Sequence, residues 1–211
     1  GTMRPIPLPG GDAATKEIWR TAEALRYEAG LENNSGTIKK LLERGLNCPK
    51  SSGMGRLFDG VCALAGIRAE CSYEGQGAVL LEAAADAGER GEYECAFYGE
   101  GGVMAFDWRP MVRQIASGGE APGTVAAKFM NTLVSMAAAQ CRSAAEQTGL
   151  RRVVLSGGVF QNMYLMARLP ERLRAEGFEV FTHSRVSPND EGVALGQLMI
   201  LEAEYVSGGT A

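Results

Sequence analysis

A single histidine in 211 residues rules out any mechanism or metal cage that needs two imidazoles from this chain. Cysteine is sparse too: five residues, an odd number, with no C-x-x-C pair. That pattern excludes a zinc ribbon and a complete disulfide framework. It predicts reduced thiols that pack as small apolar groups in a cytoplasmic protein. Positive charge is not in excess. The 21 Lys and Arg against 25 Asp and Glu leave a net charge of −4, which argues against a broad grip on nucleic acid. No apolar run approaches the ~18 residues that span a bilayer. No basic stretch precedes an apolar one as in a secretory signal, so neither membrane insertion nor export is expected. Repeats and low-complexity tracts are missing. Gly1-Thr2 is set aside as an expression remnant.

What is present is ordinary globular material, 45% hydrophobic and 22% charged, with 28 glycines. Residues 1–90 read as mostly helical. An extended Pro-rich lead-in ends at Asp12, a plausible cap for a helix over 13–29. A turn over 30–36 precedes a helix over 37–44, and 48–53 is a loop. Apolar positions at helical spacing predict helices over 54–66 and 74–87. Residues 91–211 alternate strands and helices. A hairpin turns around Gly99-Glu100-Gly101-Gly102, short and long helices cover 110–116 and 124–148, and strands at 152–155 and 178–182 flank a helix over 161–176. A last helix opens near Asp190. Strand–helix–strand order after a hairpin predicts an α/β fold with a parallel crossover.

Three constellations carry candidate chemistry. In Val153-Val154-Leu155-Ser156-Gly157-Gly158, a strand runs into two glycines and then a helix. Without Cβ atoms the glycines admit a flat ligand or phosphate, and the helix start offers N–H groups, although a bare strand–helix turn fits equally well. In Gly53-Met54-Gly55-Arg56-Leu57-Phe58-Asp59, Gly55 and Asp59 lie one helical turn apart. Gly55 leaves room for a ring and Asp59 can accept from ribose hydroxyls; the plainer alternative makes Arg56 and Asp59 a solvated pair behind a serine cap. In Ser187-Pro188-Asn189-Asp190, the Asp190 carboxylate either caps a helix or ligates a metal. His183 and Glu74-Gly75-Gln76 read as structural, and Trp19, Arg20, Asp107 and Trp108 as packing and surface pairing.

Five strings occur in one order along nearly the whole chain. They are Arg4-Pro-Ile-Pro-Leu-Pro-Gly-Gly-Asp-Ala-Ala14, Ser51-Ser-Gly-Met-Gly-Arg-Leu-Phe-Asp59, Tyr73-Glu-Gly-Gln76, Leu155-Ser-Gly-Gly-Val-Phe-Gln-Asn162, and Pro188-Asn-Asp190 with Gly192-Val-Ala-Leu-Gly-Gln197. Together they resemble the last segment of the TsaD-like domain of the HypF carbamoyltransferases, which act in [NiFe]-hydrogenase maturation. The resemblance implies a ribonuclease-H-like α/β half-domain of the actin-like ATPase superfamily with an N-terminal helical insertion. Residues 1–90 would then cover a nucleotide cleft and residues 91–211 would form the second ribonuclease-H-like half. It further implies that ATP or carbamoyl-adenylate is bound by Gly55, Asp59, Gly157, Gly158 and Asn162, with Asp190 on a divalent metal (Mg, Fe or Zn). No catalytic residue is assigned.

In such a protein carbamoyl phosphate and ATP give the adenylate, and the carbamoyl group passes to the C-terminal cysteine of HypE. The chain departs from the family pattern at Glu191, where Gly is usual, at Met130, where His is common, and at Ile18, where Pro precedes Trp-Arg. The paired metal-binding histidines of the family have no counterpart here. The expectation is a segment with weak nucleotide binding, little activity alone, and exposed apolar surface that favours a homo-oligomer. A small-molecule O-carbamoyltransferase segment and a non-catalytic docking module are the other readings.

Overall fold

The computed structural model describes residues 1–100 and 102–208, so Gly101 of the expected hairpin turn lies outside the described residues. The chain divides into two compact units, one ending at Leu150 and the other starting at Arg151. The change from helices to alternating strands and helices expected at residue 90 is thus not where the compact units part. The reason is strand pairing. In the first unit β1 (Thr2–Met3) lies parallel to β5 (Val103–Asp107), and β5 pairs antiparallel with β4 (Ala96–Glu100). The hairpin thus joins the N-terminus through β1, in which Thr2 takes part. Trp108, fully buried, donates its indole N–H to the Arg4 carbonyl at 2.8 Å and locks that join.

A second small sheet pairs β2 (Ile6–Pro7) with β3 (Lys50–Ser51), inside the stretch expected to be loop. The helix expected over 13–29 is two: α1 (Ala13–Lys16) and α2 (Trp19–Glu28). Asp12 makes no side-chain cap, and the chain turns at Glu17, whose ψ is 71°. The break is held by a distant loop. Trp19 N–H donates to Ala69 O and Cys71 N–H to Lys16 O, at 3.0 and 2.7 Å. Ile18, at the N-cap of α2 and fully buried, anchors the bend.

The remaining helices follow the expected periodicity. They are α3 (Gly36–Arg44), α4 (Met54–Leu64), α5 (Gln76–Ala84), α6 (Arg109–Ala116) and α7 (Pro122–Thr148). Ser35 caps α3 by accepting from Ile38 N–H at 3.3 Å. Pro110 and Pro122 sit in the first turns of α6 and α7, where no intrahelical N–H is needed. The core lies where α2, α4 and α7 meet: Phe58 packs edge-on against Phe129 at 4.9 Å, and Met130 of α7 is fully buried.

In the second unit β6 (Arg152–Leu155) and β7 (Glu179–Thr182) run parallel, with Val154 opposite Phe181. A 3-10 turn over Gly158–Gln161 leads into α8 (Met163–Ala175) between them. Leu165, Leu169 and Leu173 of α8 are buried with Phe178 and Leu155. A second 3-10 turn, Asp190–Gly192, opens α9 (Val193–Gly208). No helix among the described residues is long and apolar enough to cross a membrane.

Candidate functional site

In the first unit the candidate residues sit on α4. Gly55 is half-buried, and a Cβ built there would meet nothing within 4 Å, so the helix has open space at that position. One turn on, Asp59 is only 2% exposed. The expected solvated pair with Arg56 is instead a buried one: Arg56 Nη1 lies 3.0 Å from Asp59 Oδ2, with side-chain exposures of 14% and 4%. Neither atom has a hydrogen-bond partner. Burial pushes the Asp59 carboxyl up to about 6; Arg56 pulls against this, and Glu74 adds to it.

Two further features frame Asp59 and were not legible beforehand. Gly77 on α5 passes so close that a Cβ would stand 2.8 Å from Asp59 Oδ1. Beside the pair lies a hollow of about 420 Å³ lined by Thr15, Lys16, Arg56, Cys71, Ser72, Tyr73 and Glu74. Its far wall is the loop that docks into the α1–α2 break. The loop is shaped by Gln76, whose Oε1 accepts from Ser72 N–H and hydroxyl at 2.8 and 3.2 Å, and by Gly75 at φ 82°. Cys62 is buried beneath, its thiol pushed up to about 12 by burial first, then by Cys71 and Asp59. None of the five cysteines forms a disulfide among the described residues. Asp107, expected in surface pairing, is also buried. Burial would raise its carboxyl, but the forked bonds from Arg109 at 2.6–3.0 Å hold it below the usual range.

In the second unit the candidates gather at the carboxyl ends of the two parallel strands, the position where open α/β sheets present ligands. Gly157, at φ 105°, adopts a backbone that only glycine takes readily. Built Cβ atoms at Gly157 and Gly158 meet nothing closer than 4.0 Å, so both peptides face open space. Gly157 N–H donates to Pro188 O at 2.7 Å, which ties the loop carrying Asp190 to the glycine turn. His183, just past β7, bonds Ser156 Oγ at 3.0 Å and pins the same strand ends. Asn162 is buried and caps α8, its Oδ1 accepting from Leu165 N–H at 2.9 Å.

The cap before Asp190–Gly192 is Asn189, whose Oδ1 accepts from Glu191 N–H at 3.1 Å. Capping therefore does not require Asp190, and its exposed carboxylate is available for other work. A metal fits poorly on these residues alone. Among the described residues no three His, Cys, Asp or Glu side chains come together, and one carboxylate binds a divalent ion weakly.

The chain has the fold of the ribonuclease-H-like, Kae1-like class within the actin-like ATPase superfamily, as its likeness to the family model and to solved structures shows. The family model described as "Carbamoyltransferase, Kae1-like Domain, second subdomain" matches residues 1–197, and the chain belongs to the HypF carbamoyltransferase family. It is 34% identical to carbamoyltransferase HypF2 of Cupriavidus necator, covering 95% of this chain and 29% of that protein. It is 36% identical to HypF of Rhodobacter capsulatus, covering 97% and 28%. The crystal structure of full-length HypF in a phosphate- and nucleotide-bound form superposes with a TM-score of 0.82 at 37% identity, over 93% of this chain and 28% of that one. HypF of T. kodakarensis, at 22% identity and a TM-score of 0.77, shares the fold. The chain thus spans under a third of the length of these relatives.

Proposed function

We propose that this chain is the part of a HypF-type carbamoyltransferase that holds ATP or carbamoyl-adenylate while the carbamoyl group passes to the C-terminal cysteine of HypE. The observation that carries the nucleotide reading is Asp59: a buried carboxylate whose Oδ2 faces the Arg56 guanidinium without accepting a hydrogen bond among the described residues, one turn from a glycine facing open space. A group that costs stability in this way needs a compensating role, and accepting hydrogen bonds from ribose hydroxyls supplies one. The solved relative described as phosphate- and nucleotide-bound supports a nucleotide as the ligand class.

In the second unit, Gly157 and Gly158 would lie against the flat faces of adenine and ribose. Asn162 would set the direction of the turn by capping α8. Asp190 would give one carboxylate ligand to a divalent metal whose other ligands come from outside this chain, where the Lewis acidity of such an ion would be available. The transfer itself is a displacement. The thiolate attacks the carbamoyl carbon, a C–S bond forms, the bond from that carbon to the phosphate oxygen breaks, and AMP leaves with the electron pair.

Isothermal titration calorimetry with ATP and ADP in Mg²⁺ tests the nucleotide reading. The parent chain should bind, and Asp59→Ala and Gly158→Leu should each weaken binding about tenfold or more, as expected for loss of roughly 1.4 kcal/mol. Equal affinities in all three proteins would sink it.

A further inference from the structure

Two buried Asp–Arg pairs in the first unit are built differently. Asp107 receives a fork: Arg109 Nε approaches both carboxylate oxygens at 2.9 and 3.0 Å, and Nη2 donates at 2.6 Å. Its lone pairs are largely committed, as suits a structural clamp. Asp59 has a single approach from Arg56 Nη1 at 3.0 Å that is not aligned as a hydrogen bond, so Oδ2 and Nη1 both stay unpartnered although buried. The guanidinium supplies counter-charge without spending a hydrogen bond on Oδ2. A ligand-binding carboxylate in a low-dielectric setting needs that combination: charge support without occupied lone pairs.

We propose that Arg56 is a positioning residue, holding the Asp59 carboxylate ionised and turned as an acceptor for ligand hydroxyls. The proposal rests on the nucleotide reading of Asp59 given above. Three features converge on it. Arg56 and Asp59 are three apart on α4, so the helix fixes their approach. Gly77 of α5 closes the other side at Oδ1, where no side chain fits. Arg56 also lines the hollow, which places the pair beside open volume.

Glu74 is the other charged group acting on the carboxyl, which in turn raises the thiols of Cys62 and Cys71; Arg68 lowers both thiols, and Lys16 stands across the hollow. Glu74 and burial both favour the protonated acid, and Arg56 is the cation opposing them. Without it, the carboxyl would hold its proton to a higher pH, and the protonated form turns one oxygen into a donor.

The test is a ¹³C carboxyl NMR titration of the whole chain, with the Asp59 resonance identified by its loss in Asp59→Asn. The parent midpoint should lie near 6. In Arg56→Gln it should rise by about one pH unit or more, and in Arg56→Lys it should return towards the parent. A midpoint unmoved in both variants overturns the proposal. Paired ADP titrations read the consequence: the Arg56→Gln defect should be several-fold near neutral pH and shrink to about twofold or less near pH 9. A defect equal at every pH also overturns it, since that is what lost packing or a lost direct contact would give. Equal ADP affinity in the parent and Asp59→Asn overturns the ribose reading instead, and is told apart because the NMR midpoint still shifts in Arg56→Gln.

Discussion

Asp59 costs the folded state energy at the pH where it is most useful. Its carboxyl is raised from 3.8 to about 6, with burial as the main cause. Between those values the native protein holds the proton more tightly than the unfolded chain does. The contribution of Asp59 to stability is therefore fully present below about pH 4 and is lost as pH rises through about 6, by on the order of 3 kcal/mol. Asp59→Asn cannot titrate. Urea unfolding of the two proteins across that window should show the parent losing stability relative to Asp59→Asn as pH rises, with no further divergence above about pH 7. Parallel pH profiles would mean that the carboxylate is ionised without strain.

At the scale of elements, the crossing of α2 and α4 depends on Gly60. A Cβ there would stand 2.4 Å from Leu25 Cδ1 and 3.2 Å from Thr21 Cγ2, and Leu25 is fully buried. Gly60→Ala should destabilise by roughly 1–3 kcal/mol through overpacking, despite the better helix propensity of Ala. A chemical denaturation midpoint at or above that of the parent would refute this. Gly60 also shows what the sequence made legible. The apolar spacing that defines α4 is a local signal and was readable, as were α3, α6, α7 and the β6–α8–β7 crossover. The break between α1 and α2 was not, because it is held by backbone bonds to Ala69 and from Cys71, far along the chain. The two-residue strands β1, β2 and β3 were hidden for the same reason: their partners are non-local. At the site, the positions of Gly55 and Asp59 were readable. The burial of the Arg56–Asp59 pair was not, since three-residue spacing looks the same on a wet face and a dry one.

For the whole molecule the notable surface belongs to the second unit. Val154 and its cross-strand neighbour Phe181 are 67% and 45% exposed, on the face of the small sheet away from α8. In α9, Leu198, Met199, Ile200 and Leu201 are also exposed. Apolar area of this kind drives association. Light scattering on the isolated 22.4 kDa chain should give a mass that rises with concentration, and Phe181→Lys with Ile200→Glu should lower it. A monomeric mass at all concentrations for the parent would contradict this.

The contact between Gly77 and Asp59 also constrains how the protein can change over time. A side chain at position 77 is barred while a carboxylate stands at 59; shortening 59 removes the 2.8 Å clash but leaves the Asp59 Cα 3.3 Å from the new Cβ, so only a small residue with a slight shift of the helices would then fit. Lineages that keep the acid should keep glycine at 77, and a change to a small residue at 77 should come only after the acid is lost. The reverse order passes through a clash. A silent-looking glycine on α5 thus records whether the site on α4 is still in use.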